Sequence, residues 1–298
     1  MNTMESKVTI LIPIHNGIKH TLKCIESILN SNYSNFEIVI IDDGSEDRSS
    51  EIIKSKYPEV TIIQGDGNLW WSGAMNKGLD YAFEKGTDYI LLLNNDNIIK
   101  EDMISQLVLT AKNNANSIVC SKVYLLDDKE RLFFAGGFSD YKKGGLYTEG
   151  CYELDSEKYN IFKKVEWCGG MGVLIPMTIA KDIGYFNNID FPQYYGDADY
   201  FFRARQKGYS IVYNPRSICW NNREQTGIGL GEGKITFEIV KNILTSIKSN
   251  NNLKVNTKFY YKYFSKSEAT KILLVRYGVF FARIIKRLLK YNLKFKSN

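Results

Sequence analysis

An α/β fold with a mostly parallel central sheet is predicted by three observations. Short apolar runs alternate with amphipathic stretches through the first hundred residues, the intervening stretches carry helical spacing, and each apolar run ends in a polar cluster. Val8–Ile14, Glu37–Ile41, Val60–Ile63 and Tyr89–Leu93 read as buried strands. Between the first two, Ile18, Leu22, Ile25 and Leu29 recur at helical spacing and predict a crossover helix from about Lys19 to Asn30. The clusters after the four strands are Pro13-Ile14-His15-Asn16, Asp42-Asp43-Gly44-Ser45, Gly65-Asp66-Gly67-Asn68 and Asn94-Asn95-Asp96-Asn97. In an open α/β sheet the carboxyl ends of the strands border the ligand crevice, so the clusters converge on one site.

From Ser117 to Glu166 the pattern loosens into Gly-, Tyr- and Lys-rich segments, read as short strands and a mobile insert. A Gly-rich turn, Cys168-Gly169-Gly170-Met171-Gly172, then leads into a strand and a helix from Thr178 to Ile183. A charged, aromatic stretch from Phe191 to Gly208 precedes a strand at Ile211–Tyr213. Beyond about Gly233 the composition shifts to Lys, Asn, Ile and Tyr, so two parts are expected: residues 1–232 as the α/β domain and residues 233–298 as a helical extension. In the final helix, expected over Lys271–Lys294, Arg276, Arg283, Arg287 and Lys290 fall on one stripe and Leu274, Tyr277, Phe281, Ile285 and Leu288 on another. Such a basic amphipathic helix either packs on the domain or lies on an anionic membrane surface; Lys262, Lys266 and Lys286 add charge that favours the membrane.

The 298 residues carry a formal charge of +6, which suits anionic ligands such as nucleotides or sugar phosphates. Nucleic acid is disfavoured because the basic residues concentrate in the C-terminal helix rather than along an aromatic groove. The 5 cysteines are scattered without a CxxC pair, which indicates neither a disulfide framework nor a zinc site and suits a reducing cytosol. The N-terminal residues lack the apolar core of a signal peptide, and no apolar run reaches membrane-spanning length.

The ordered set Pro-x-His-Asn, Asp-Asp-Gly-Ser, Asn-Leu-Trp-Trp-Ser-Gly-Ala-Met-Asn-Lys-Gly, Leu-Asn-Asn-Asp-Asn, Gly-Gly-Met-Gly and Asp-Ala-Asp-x-x-x-Arg-x-x-x-x-Gly-Tyr resembles the family 2 glycosyltransferases of GT-A fold. The likeness runs from Val8 to Thr226 and is strongest to bacterial members that build surface polysaccharides, rhamnosyltransferases among them. It implies a nucleotide-sugar donor, UDP- or dTDP-linked, whose nucleotide is held by Pro13, His15, Asn16, Asp42, Asp43, Asn68, Asn76 and Asn95. Carboxylates suit the imide N–H of the base and a ribose hydroxyl, since both are donors. Asp43 or Ser45 could equally cap the following helix, Ser49 to Lys56. Trp70 and Trp71 read as core or lid aromatics.

Asp96 matches the last carboxylate of the family's Asp-x-Asp metal motif, whereas Asn94 replaces the first. One carboxylate with two phosphate oxygens suffices for Mg²⁺ or Mn²⁺, which keep several waters. Asp197 falls where inverting members hold the general base. Gly196 stands where many relatives carry Glu, which removes an acceptor contact. Gly169, Gly170, Met171 and Asp199 are assigned to the acceptor; Asp199 is also one helical turn from Arg203, a natural ion-pair partner. A late histidine that some relatives use for metal or phosphate is absent after Asn214-Pro215, and of the two histidines His15 lines the nucleotide site while His20 reads as a solvated helix residue. The expected activity is inverting transfer of a hexosyl or rhamnosyl unit to a saccharide or lipid-linked acceptor at the inner face of the cytoplasmic membrane, in polysaccharide synthesis. The competing readings are a nucleotidyltransferase, whose Gly-rich Arg- and Lys-containing loop is missing after the first strand, and a catalytically silent nucleotide- or carbohydrate-binding homologue.

Overall fold

The computed structural model describes residues 5–222, 227–231 and 235–296, with side chains up to residue 289. The chain folds as two compact units: Met1–Gly137, Thr148–Pro192 and Gly196–Glu224 form the first, and Phe138–Tyr147, Gln193–Tyr195 and Gln225–Asn298 the second. The break expected at residue 233 lies outside the described residues, and two short segments from within the α/β region join the second unit.

In the first unit the elements run β1 (Val8–Ile14), α1 (Ile18–Leu29), β2 (Phe36–Asp42), α2 (Ser49–Lys56), β3 (Thr61–Gln64), α3 (Trp70–Lys85), β4 (Tyr89–Leu92), β5 (Asn97–Ile99), α4 (Met103–Asn113), β6 (Ser117–Leu125) and β7 (Leu132–Phe134). The hairpin strands β8 (Gly137–Asp140) and β9 (Gly145–Thr148), which fall mainly in the second unit, come next in the chain, and the first unit resumes with β10 (Lys163–Val165), β11 (Val173–Pro176), α5 (Met177–Ile183), α6 (Gly196–Gln206) and β12 (Ser210–Asn221). One sheet runs in the order β10-β12-β6-β11-β4-β1-β2-β3, with β5 on β12 and β7 on β6. β4, β1, β2 and β3 pair in parallel, as do β6 and β12, and β11 is antiparallel to both β4 and β6. All six parallel strands therefore end at one edge of the sheet, and β11 starts there. The residues read as a mobile insert form β7 to β10.

The buried strands are the apolar runs of the sequence: Ile10, Leu11, Ile12, Val39, Ile40, Ile41 and Leu91 are fully buried between the helical layers. Gly78 of α3 lets the helix approach, since a Cβ there would lie 2.9 Å from Leu11 and 3.2 Å from Ile41. β12 is far longer than the Ile211–Tyr213 read from sequence. Its register shifts between Asn214 and Ile218, and Asn214 Oδ1 accepts the Arg216 amide at 2.8 Å, so a side chain replaces the ladder where Pro215 interrupts it.

The second unit contains the β8–β9 hairpin, α7 (Phe237–Thr245), α8 (Leu253–Tyr263) and α9 (Lys266–Lys296). Ile235, Ile243, Phe280 and Ile284 form one buried cluster in it, Phe259, Tyr260 and Ile272 are also buried, and Tyr195, with φ 67°, donates its hydroxyl to Asn256 Oδ1 at 2.6 Å. The basic stripe expected on the last helix is only partly solvated: Arg283 is exposed, whereas Arg276 and Arg287 are half-buried. Arg276 turns inward and donates to Asn250 O at 2.8 Å, Arg287 is half-buried and donates to Leu230 O, and the Lys290 side chain lies outside the described residues. The apolar stripe is what faces solvent: Leu274 is 69% exposed, Phe281 44%, Ile285 57% and Leu288 40%, while Tyr277 is half-buried. Arg283 and Lys286 flank it in exposed positions. No described helix is long and apolar enough to cross a membrane.

Candidate functional site

The strand-end clusters meet at the sheet edge and fall into three connected groups. In the first, Asp42 and Asp43 are 2% and 6% exposed. Asp42 Oδ1 accepts the Ser45 amide at 2.9 Å and its Oδ2 accepts the Ser50 hydroxyl. Asp43 accepts the amides of Gly67 at 2.8 Å and Trp70 at 2.9 Å, one on each oxygen. Neither Asp43 nor Ser45 caps α2; the residue before that helix is Arg48 in the left-handed region, and Asp47 accepts the Ser49 amide at 3.1 Å. The pair assigned to base and ribose is thus the frame of the turn, and Asp43 fixes the loop that carries Asp66, Gly67 and the exposed Asn68. Trp70 is held at φ 56°, a conformation costing a non-glycine residue roughly 1–3 kcal/mol, by the Asp43 bond.

His15 is exposed at the end of β1, beside half-buried Pro13, and its Nδ1–H donates to the Asp43 carbonyl at 2.7 Å, leaving Nε2 free of that bond. Asn16, at φ 62°, receives the Glu46 amide on Oδ1 and gives its own amide to Ser45 Oγ, both at 2.8 Å. Asp47, which the sequence reading passed over, ties two helix starts together by accepting the amides of Ile18 at 3.0 Å and Ser49 at 3.1 Å. Its place two residues before Ser49 was a readable capping signal.

The second group surrounds Asp96. Asn97 Oδ1 accepts the Asn94 amide at 2.9 Å, and Asn97 Nδ2 donates to Asn221 Oδ1 at 2.9 Å, so the turn after β4 is bolted to the end of β12. The Asn222 amide donates to Asp96 O at 3.3 Å and its side chain meets His20 Nδ1 at 3.3 Å. His20 is therefore a half-buried member of this group rather than a solvated helix residue. Asn95 Nδ2 donates to Thr21 Oγ1 at 3.1 Å, and Asn94 Oδ1 accepts the Trp71 indole N–H at 3.1 Å. Burial raises the Asp96 carboxyl to about 6, opposed by its own backbone amide.

The third group comes from the Gly-rich turn before β11 and from the start of α6. Asp197 stands in the first turn of α6, and burial raises its carboxyl to about 6 although the amides of Ala198, at 2.7 Å, and Gly170 pull it down. A Cβ on Gly169 would lie 3.6 Å from Asp197 Oδ2 and 3.1 Å from the Met171 methyl, so the glycine leaves open space over the carboxylate. A Cβ on Gly170 would fall 2.2 Å from the Trp71 ring, which links the second group to the third through Trp71. Gly196 has a steric reason that the sequence reading missed: a Cβ there would meet Ser72 Oγ at 2.0 Å and Phe191 O at 2.8 Å.

Two predicted residues are engaged elsewhere. Asn76 clamps the Phe186 backbone, accepting its amide at 2.7 Å and donating to its carbonyl at 2.9 Å. Asp199 is fully buried and paired to Arg203 at 2.9 Å. The arrangement offers a carboxylate of raised pKa, able to take a proton near neutrality, linked through Trp71 to a strand-end turn that carries one desolvated carboxylate.

Among the described residues no three His, Cys, Asp or Glu side chains gather into a metal cage. The donor set still fits a hard divalent cation of the kind that fills its sphere with phosphate oxygens and water, because Asp96 is an oxygen ligand desolvated by burial.

The family model described as "Glycosyl transferase family 2" matches residues 9–164, more than half of the chain. Glycosyltransferase GlyG of Streptococcus pneumoniae serotype 4 is 31% identical over 134 residues, covering 44% of each chain. The poly-beta-1,6-N-acetyl-D-glucosamine synthase of Staphylococcus epidermidis is 23% identical over 239 residues, 77% of this chain and 53% of that protein. The chain thus spans about half the length of these relatives. Among solved structures, GalNAc-T7 with UDP, GalNAc and Mn²⁺ superposes with a TM-score of 0.62 at 14% identity, over 91% of this chain and 54% of that one. S. aureus TarS 1-349 in complex with UDP-GlcNAc superposes with a TM-score of 0.57 at 13% identity, over 90% and 70%. These likenesses establish the GT-A fold.

Proposed function

Since this chain belongs to glycosyl transferase family 2, we propose that it moves a sugar from a nucleoside diphosphate, UDP or dTDP, to a hydroxyl of a saccharide or lipid-linked acceptor. The observation that carries the reading is that Asp197, with a carboxyl raised to about 6, is joined to the Asp96 turn through Gly170 and Trp71, whose indole N–H bonds Asn94. At neutral pH Asp197 is ionised and basic enough to accept the acceptor's hydroxyl proton as that oxygen attacks the anomeric carbon. The bond from that carbon to the diphosphate oxygen breaks, the nucleoside diphosphate leaves, and in-line attack inverts the anomeric configuration.

The donor nucleotide lies along His15, Asn16 and the loop that Asp43 orders, with Asp42 behind it, Asn68 at its rim and Asn95 at the phosphate end. Pro13 shapes the floor, and Asn76 acts through the Phe186 backbone. Asp96 is the residue that would hold Mg²⁺ or Mn²⁺, which when bound would neutralise charge on the diphosphate. The structure of GalNAc-T7 with UDP and Mn²⁺ supports a divalent ion, and the polysaccharide synthase among the relatives supports a saccharide acceptor. Gly169 leaves room for that acceptor beside Met171, Gly170 admits the Trp71 ring next to it, and Asp199 holds α6 through Arg203.

The exposed apolar stripe of α9, flanked by Arg283 and Lys286, supports peripheral attachment to an anionic membrane. The inner face of the cytoplasmic membrane is the surface that supplies nucleotide sugars and lipid-linked acceptors together.

The test is nucleoside diphosphate release from a panel of UDP- and dTDP-sugars in the presence of lipid-linked oligosaccharide acceptors. Acceptor-dependent release by the wild type, lost in Asp197→Asn, is expected. Donor binding without release would identify a silent homologue instead.

A further inference from the structure

Tyr124 of β6 and Trp220 of β12 are register partners on adjacent parallel strands, with ring centroids 6.3 Å apart and planes inclined 28°. Side chains alternate along a strand, so these rings lie on the sheet face opposite to Cys219 and Asn221, and Asn221 is the residue bonded to the Asp96 turn. The rings border an open surface pocket of about 570 Å³ that the proposed transfer reaction does not use. Its size falls within the ~300–1,000 Å³ typical of small-molecule sites.

The chemistry of the walls narrows the ligand. Of the charged groups in the lining, Lys100 is paired with Asp102 at 3.2 Å and Asp155 with Lys122 at 2.9 Å, which leaves Lys129 and Glu130 of opposite sign, so the walls carry no net charge and do not favour a free anion. Leu154 and Ile218 supply the apolar remainder. Beneath the rings the framework is rigid: Lys122 is 1% exposed, its ammonium donates to both Asp155 oxygens at 2.9 Å and to Asn160 at 2.6 Å, and Tyr124 donates to Asp155 at 2.5 Å. That network holds Asp155 and Tyr124 in place before any ligand arrives. An aromatic surface that attracts the Lys129 ammonium, 5.9 Å from the Trp220 ring centroid, and stands beside the exposed Glu130 carboxylate without net charge matches a ring with C–H faces and hydroxyl edges.

We propose that this pocket is a second saccharide site, outside the strand-end cleft, that holds a neutral pyranose unit against Trp220 and Tyr124 with hydroxyls directed to the Glu130 carboxylate and the Lys129 ammonium, Asp155 being already filled by Lys122, Tyr124 and the Ser156 amide. The site goes beyond the transfer reading and does not depend on it. In a transferase it would give a growing glycan a second hold on β12, the strand whose end carries Asn221 and Asn222.

Saturation-transfer NMR on the full chain with glucose, N-acetylglucosamine, rhamnose and cellobiose tests the proposal, each with and without saturating UDP. Leu154→Arg obstructs the mouth at a side chain already 54% exposed, and Trp220→Phe keeps the packing while shrinking the platform. At least one sugar should bind in the presence of UDP, and Leu154→Arg should weaken it by about tenfold or more, with a smaller loss in Trp220→Phe. Asp197→Asn should leave that binding intact. The proposal is overturned if no sugar binds, if binding is indifferent to Leu154→Arg, or if inorganic phosphate binds there while the sugars stay silent.

Discussion

Replacing Asp197 with Asn should abolish transfer and at the same time make the protein more stable. Burial holds the carboxyl at about 6 against an ordinary 3.8, so the folded state binds a proton more tightly than the unfolded chain. Between those two values the folded state carries more protons, and stability therefore falls as pH rises through the window. At about 1.4 kcal/mol per pH unit the full cost of the charge above pH 6 is roughly 3 kcal/mol. Asp197 is half-buried, and solvent at the mouth screens part of this, which leaves an expected gain of about 1–3 kcal/mol for the neutral amide. Asn keeps the oxygen that accepts the Ala198 amide, so the helix start is preserved. Urea unfolding at pH 8 and pH 4 is the assay: the variant should gain at pH 8 and match the wild type at pH 4. Wild-type transfer should decline as pH falls through about 6, where the base becomes protonated. Equal stability of the two proteins at pH 8 would refute the desolvation argument.

Three further perturbations follow from the contacts. Gly196→Glu, which restores the residue many relatives carry, should destabilise the chain by about 2 kcal/mol or more, because its Cβ would sit 2.0 Å from Ser72 Oγ; calorimetric melting checks this. Asp47→Ala should cost about 1–2 kcal/mol through the loss of two helix-start amides, measured by urea unfolding. Phe281→Asp with Ile285→Asp should lower binding to anionic vesicles at least about tenfold while leaving the melting temperature within a degree or two, since both side chains are exposed; unchanged flotation with vesicles would count against the stripe.

The strands and helices of the βα repeats were legible because burial on both faces demands continuous apolar runs, and β1, β2 and α2 fall within a residue of their expected limits. β12 was truncated in the sequence reading because Pro215 signals a stop, whereas Asn214 supplies the missing acceptor locally. The strand-end polar clusters gather at one edge of the sheet, yet the contacts of each side chain are set by partners distant in sequence. Asp42 and Asp43 serve the backbone of the turn, and His20 joins Asp96 through Asn222, 202 residues away. Spacing along α9 identified two stripes but not which one turned inward, because the inward placement of Arg276 depends on Asn250 in another segment. Gly196 read as a lost contact, and only its distance to Ser72 reveals a packing requirement.

The most direct test of the central claim is calorimetric titration of UDP and dTDP into the wild-type protein and Asp96→Ala, with and without Mn²⁺. One pyrimidine diphosphate should bind with Mn²⁺ present, at least about tenfold more weakly without it, and the metal dependence should vanish in Asp96→Ala. Failure of both diphosphates to bind, or binding that ignores both Mn²⁺ and Asp96, would contradict the account.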